Sequence, residues 1–413
     1  MKANNGDVTI LRGLARQVAD IAAKPVQDER RDLWRRHNSL QATRPLVLVT
    51  GVFCWHEMDL EGACLCRDPF LRDLERQFRK TIIQDTWGDD MIVEPWVKVQ
   101  AAPAVPSGDG RWGPPIQRIP SPHPGGSWMF DPPIKQEADL DKLVAYPHRI
   151  NEQATAARFR RAQDAIGDIL QVCLSRSPVY NGWVADISTD LARLRGLEQV
   201  MWDMVDRPAW LHRLCEFMRD AVLAQQDAAE AAGDWRLCNH NNQAMPYSLD
   251  LPDPSADPAG VSRKQLWGFF AAQEMAQVSP AMHEEFILRY QMPIMARFGL
   301  LAYGCCEDLG NKIGMLRQVP NLRRIAVTPF ANVRKCAEQI GRDYVLSWRP
   351  SPAEMICNYF KGDHIRRIVR QAMDDAKGCG VDITLKDVQT VRGHFEDFAA
   401  WVRIVRDVTD HYA

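Results

Sequence analysis

The chain has 413 residues, with 51 Lys and Arg against 53 Asp and Glu for a formal net charge of −2, and 46% hydrophobic residues. That balance is ordinary for a globular protein and gives no electrostatic reason to expect nucleic acid or an anionic membrane as partner. The 11 cysteines, an odd number scattered over a long chain, exclude a small secreted disulfide scaffold.

The opening "MKANNGDVTILRGLARQVADIAA" lacks the apolar core of a secretory leader. No run reaches the about 18 apolar residues that a spanning helix needs. The expectation is a cytoplasmic protein with reduced thiols. Residues 8–42 read as two amphipathic helices, and 1–44 as an N-terminal helical arm. "RPLVLVTG" follows as the first core strand, entered at a proline and ended by Gly51. "IIQDTW" and "MIVEPWVKV" suggest a helix end and a second extended segment. The proline-rich stretch around 100–133 has no helical period and reads as a long loop insertion.

Beyond it, helix and strand alternate. A helix over 153–167 leads to an apolar segment near 168–174, and helices near 194–205 and 207–232 follow. The short apolar runs "WRLCNH", "QLWGFFAA", "FGLLAYG", "LRRIAVTP", "DYVLSW" and "VDITLKD" come next, most of them separated by helical sequence. Alternating units imply a parallel sheet covered by helices. About eight such units favour a (β/α)8 TIM barrel, here a single domain over 45–413 carrying the N-terminal helical extension. No GxGxxG follows the first strand, which argues against a dinucleotide-binding half.

In such a barrel, function collects where strands exit into the following loops. The exit "YGCCEDLG" places Cys305, Cys306, Glu307 and Asp308 directly after an apolar run. Strand alternation would set Tyr303, Cys305 and Glu307 on one face, with Cys306 opposed unless the strand has ended at Gly304. A soft divalent ion takes thiolate, imidazole or carboxylate ligands, so Cys305 or Cys306 with Glu307 and His240 form one candidate zinc set. The alternative is two small buried cysteines followed by carboxylates that cap the next helix. Glu274, beside Gln273 after the aromatic run "LWGFF", is a candidate acid or base. Lys386 and Asp387, after "DITL", are either a plain ion pair or groups that orient a substrate carboxylate. Trp55, His56, Trp87 and Trp348 are expected to wall the pocket, with Asn242 in the polar loop "HNNQAMPYSLDLPDP" closing over it and Arg349 at another strand exit. His283, in the helix after "VSP", is expected to face solvent.

The stretches "LWRRHNSLQATRPLVLV", "QEMAQVSPAMHEEFILRYQMPIMARFGLLAYGCCEDL", "VPNLRRIAVTPFANVRKCAEQIGRDYVLSWRPSPAEM" and "GVDITLKDVQTV" together resemble the uroporphyrinogen decarboxylase superfamily, over most of the chain. That resemblance implies a (β/α)8 barrel and one of two chemistries: metal-free decarboxylation, or zinc-dependent methyl transfer between a small methylated molecule and a corrinoid protein. The methyltransferase branch shows a His-x-Cys pair at one strand exit and a further Cys at a later one. Here Tyr303-x-Cys305 stands at the first position and Lys386–Asp387 near the second, so Cys305 alone carries over. The leading expectation is methyl transfer from a small substrate, O-methyl aromatics included, to a corrinoid carried by a partner protein, with zinc as Lewis acid. A metal-free lyase using Lys386 and Arg349, and a non-catalytic binder, are the rivals. A homodimer would give the N-terminal arm a place to pack.

Overall fold

The computed structural model describes residues 5–123, 127 and 129–412. Its strands are β1 (Leu46–Val49), β2 (Trp96–Gln100), β3 (Gln117–Ile119), β4 (Met129–Asp131), β5 (Gln171–Ser175), β6 (Trp267–Phe270), β7 (Leu300–Tyr303), β8 (Leu322–Val327), β9 (Val345–Trp348) and β10 (Gly380–Leu385). Six of them form a parallel sheet in the order β1-β10-β9-β8-β7-β6, while β2 and β5 pair in parallel as a separate ladder. The long loop folds into the antiparallel hairpin β3–β4. The fold is therefore mixed α/β around parallel strands, consistent with the expected alternation.

Side chains replace the ladder at the two breaks between these sheets. At β1, the free N–H groups of Val47 and Val49 donate to the carboxylates of Asp90 and Asp89, at 2.8 and 2.9 Å. Between β5 and β6, "WRLCNH" forms no strand and instead makes a short 3-10 turn, Leu237–Asn239. The Asn239 side chain accepts from Arg236 N and donates to the Ser175 hydroxyl, which closes the turn and ties it to the end of β5. His240 Nδ1 then accepts from Trp267 N at 3.2 Å, at the start of β6. A run as apolar as its neighbours is thus diverted by one amide side chain that satisfies its own backbone.

The expected helix near 194–205 is two helices, Ser188–Arg195 and Leu197–Asp206, separated by Gly196 at φ 89°. Glycine alone enters that conformation without a steric cost. Pro208–Ala231 follows and stops before Gly233, as the sequence implied.

The N-terminal arm is integrated rather than appended. Along the helix Asn5–Ala22, Leu11, Ala15, Val18 and Ala22 make one apolar stripe. It packs on Leu71, Leu74 and Phe78 of the helix Pro69–Asp85 and on Ala162 and Ile166 of the helix Glu152–Ile166. The second helix, Pro25–Asn38, is strongly charged, yet its last turn is buried: Trp34, His37 and Asn38 are 0–2% exposed.

Strand alternation separates two environments. Val381, Ile383 and Leu385 of β10 join the core beneath the helices, while Asp382 and Thr384 face the other way and are also buried. On that inner face Asp382 accepts from Arg324 Nη2 at 2.7 Å and Ser347 Oγ at 2.8 Å, with His37 Nε2 at 3.2 Å. Arg324 also donates to the Asn38 side chain at 2.7 Å. Burial alone would push the Asp382 carboxyl up, but the Arg324 charge and the His37 and Ser347 contacts outweigh it and hold it well below the usual range. The network joins the arm to β8, β9 and β10.

A group held below its unfolded pKa stabilises the fold above that unfolded value, and the contribution fades as pH falls towards the folded one. Asp382→Asn leaves Arg324 buried without a counter-charge and is expected to cost about 3–5 kcal/mol in urea unfolding near neutral pH. Below about pH 4 the gap between wild type and variant should narrow. A cost below about 1 kcal/mol with no pH dependence would show that the pair does not organise the core.

Candidate active site

At the C-terminal edge of the sheet the chain leaves a cleft of about 370 Å³ lined by Thr50, Gly51, Trp183, Gln243, Ala244, Met245, Lys386 and Asp387. β1 and β10 supply its floor, since their pairing continues past the strands through Thr50 N to Leu385 O and Phe53 N to Val388 O. Gly51 lies at φ 58°, and a Cβ there would meet Asp387 N and Oδ1 at 3.0 Å, so the close approach needs glycine. Gln243 and Asp387 also hold positive φ, 60° and 61°. Non-glycine residues in this region cost free energy and tend to gather at functional sites. Trp183 covers the far side, 38% exposed, with its ring edge-on to Phe269 of β6 at 4.9 Å.

The reactive groups stand beside the Lys386 wall. Gly304, at φ 99°, ends the alternation of β7. As a result Tyr303 faces the helices, whereas Cys305 falls on the inner face with Phe269, Ala271 and Ala302. The expectation that Tyr303, Cys305 and Glu307 share one face is corrected at this glycine. Lys386 Nζ lies 3.3 Å from Cys305 Sγ and 3.1 Å from Asp387 Oδ2. Cys305 is 3% exposed, and its Sγ is 3.4 Å from that of the exposed Cys306.

The two thiols titrate as a pair. The hydrogen bond from Cys305 stabilises the Cys306 thiolate, burial works against it, and the Lys386 charge adds to it; the thiol is lowered to about 7. Cys305 keeps its own proton far above the ordinary range, because it donates to Cys306 and is itself desolvated. The arrangement is therefore an accessible thiol of lowered pKa, 3.4 Å from a buried thiol that itself lies 3.3 Å from the Lys386 ammonium. Lowered pKa, exposure and a neighbouring ammonium are what a reactive cysteine requires.

The other expected site residues divide. Glu307 is 1% exposed, and its two oxygens accept from Ala272 N at 2.9 Å and Cys305 N at 2.8 Å. It therefore clamps the ends of β6 and β7 and has little capacity left for a ligand. Glu274 accepts from the hydroxyls of Ser188 and Thr189, at 2.7 and 2.9 Å, and so ties to the first turn of the helix Ser188–Arg195; Gln273 donates to it at 3.3 Å. Arg349 is buried and donates to Cys305 O at 2.7 Å, which fixes the thiol-bearing turn. Asn242 is buried and holds its own turn through Ala244 N and Met245 O, so its neighbours, rather than its side chain, reach the cleft.

Several expected pocket walls belong instead to the outer core. Trp87 is 3% exposed and stacks on Phe398 at 4.3 Å; Trp55 stacks on Trp87 at 5.8 Å. Trp348 shares the helix-facing side of β9 with Leu346. His56 is exposed, its Nδ1 3.4 Å from Phe53 O. His283 is fully buried rather than solvent-facing, with Nε2 at 2.9 Å from the Tyr303 hydroxyl, which itself donates to Gln291 Oε1. Burial, reinforced by the Lys312 charge, lowers that imidazole to about 3, so it is neutral. Gln243, Ala244 and Met245 belong to the polar loop expected to close over the pocket, through residues other than Asn242; Trp183 was not legible as a cleft wall, because it comes from a loop without a strand period.

The zinc expectation fails a test of the donors. Among the described residues no three His, Cys, Asp or Glu side chains are gathered as a metal would need. His240 is held at the first residue of β6, whereas Cys305 follows the last residue of β7. Since β6 and β7 run parallel in register, these are opposite ends of the sheet. Glu307 is spent on backbone donors, and the Lys386 ammonium already sits against the Cys305 sulfur.

Neither a protein-family model nor a curated protein matches the sequence. A solved structure of a methyltransferase from Methanosarcina mazei is similar, with a TM-score of 0.55 and 14% sequence identity over 93% of this chain and 98% of that one. At that identity the likeness is one of fold: the chain shares the parallel α/β frame of that protein.

Replacing Lys386 with Met should raise the apparent pKa of Cys306 alkylation by roughly one unit or more, since a cation is removed from beside the thiolate. Iodoacetamide rates followed by mass spectrometry from pH 5 to 10 give the midpoint. The wild-type midpoint is expected near the value of about 7 argued above, and an unchanged midpoint in Lys386→Met would remove the ammonium from the account.

Proposed function

We propose that the chain is a methyltransferase built on a closed (β/α)8 barrel, with the Cys305–Cys306 pair as the group that accepts the methyl. The observation that carries this reading is the placement of an exposed thiol 3.4 Å from a buried one, which is itself 3.3 Å from a lysine ammonium, beside a cleft at the strand exits. The likeness in fold to a methyltransferase supports the class of reaction.

The substrate is a small methylated molecule, O-methyl aromatics included, lying against Trp183, Ala244 and Met245. The Cys306 thiolate attacks the methyl carbon. A sulfur–carbon bond forms as the carbon–heteroatom bond breaks, and the electron pair leaves with the heteroatom. Lys386 supplies that atom with a proton and regains one from water. Cys305 and Lys386 stabilise the thiolate before attack, and Arg349 and Glu307 hold the turn that carries both sulfurs. A nucleophile on a corrinoid protein docked over the open cleft then takes the methyl group, and the sulfur–carbon pair returns to sulfur. No step runs through zinc. A metal-free lyase would need Glu307 or Glu274 as acid, and both are committed to fixed donors.

Incubation with methoxylated aromatic donors should leave the peptide carrying Cys305 and Cys306 heavier by one methylene, on Cys306. Cys306→Ser should reduce donor consumption at least about 10³-fold, while Cys305→Ser keeps part of it. Turnover in Cys306→Ser equal to wild type would overturn the proposal.

A further inference from the structure

A second cavity lies at the exits of β2 and β5, behind the loop that carries Trp183. It holds about 400 Å³, and its walls include Gln100, Arg111, His148, Arg149, Arg158 and Asn181. Its frame is rigid: Pro103 bridges Ile150 in antiparallel fashion, and Ala104 N and Asn151 N bond across to Arg149 O and Ala102 O.

Its charge is one-sided. The acids nearest in sequence are already committed. Asp190 takes both contacts of Arg111 Nη1, at 2.9 Å, and Asp234 takes His148 at 2.7 Å. Glu152 is bound by Arg176 at 2.7 Å. Arg149 and Arg158 are exposed, and no carboxylate among the described residues lies within ion-pair distance of either. Arg111 is only 8% exposed, and its Nε has no hydrogen-bond partner.

We propose that this cavity binds a small organic oxyanion, a carboxylate or a phosphate ester, with Arg149 and Arg158 pairing its charge. Guanidinium groups suit both oxyanions, because their paired donors match the spacing of the oxygens. The volume fits a ligand the size of a substituted aromatic acid or a sugar phosphate. The site is separate from the thiol cleft: Asn181 and Val184 line this cavity, and Trp183 between them lines the other. The inference does not depend on the methyl-transfer reading.

The test is calorimetric titration of the full chain with benzoate and, separately, glycerol phosphate, at low and at physiological salt. Binding of either is expected, weakened by salt, and the tighter of the two identifies the oxyanion. The double variant Arg149→Ala with Arg158→Ala should lose at least about ten-fold in affinity, the worth of one charge-assisted hydrogen bond. Arg160→Ala with Arg342→Ala removes the same two charges from exposed positions outside the cavity and should bind as wild type does. Unfolding midpoints confirm that each variant is folded. Absence of heat with both anions, or wild-type affinity in the Arg149/Arg158 variant, overturns the proposal; an equal loss in the Arg160/Arg342 variant does so as well, by reducing the effect to net charge.

Discussion

The contact between Asp382 and Arg324 sets the geometry from which the rest follows. Two fully buried, oppositely charged groups on β10 and β8 leave little freedom in how those strands register against β9 between them. Ser347 supplies a third bond from β9, and His37 and Asn38 bring in the N-terminal arm. Such a cluster gives weak net stabilisation against an apolar alternative, yet it penalises strongly any arrangement that separates the charges. Its contribution is therefore specificity of register. Lys386 lies just beyond the end of β10, which this cluster aligns, whereas Cys305 lies beyond β7, which is placed by its own ladder with β8.

At the opposite edge the same chemistry takes another form. The cation beside Cys305 is covalently attached and fixed in number, where a metal site would have needed three convergent donors. The chain places those donors elsewhere: Glu307 accepts from two backbone amides, and His240 sits at the start of β6, the other end of the sheet from Cys305. A lysine can lower the pKa of a neighbouring thiol and deliver a proton, but it cannot hold the thiolate as a ligand. The sulfur that results is free to react, and the exposed member of the pair is the one that loses its proton first.

Much of the frame was legible in the sequence because short apolar runs separated by helical periods have few other readings. The strands at 267–270, 300–303, 322–327, 345–348 and 380–385 fall where those runs predict them. "WRLCNH" failed because the capping amide of Asn239 carries no apolar signal. The thiol pair and Lys386 were legible as strand-exit chemistry. The aromatic walls were not: alternation along β9 puts Trp348 with Leu346, away from Ser347 and Arg349. At β7 the alternation itself ends at Gly304, which sends Tyr303 and Cys305 to different faces. His283 shows the limit of helix reading, since its burial depends on the partner Tyr303, twenty residues on.

The chemistry of the site turns on whether the Cys305 sulfur answers to a lysine rather than to a metal. Zinc titration of the reduced, chelator-stripped chain, with competition against a chromogenic chelator, addresses this directly. Binding no tighter than that of a Cys305→Ala variant is the result expected. A stoichiometric zinc held tightly by the wild type and lost in that variant would contradict the account and return the site to Lewis-acid chemistry.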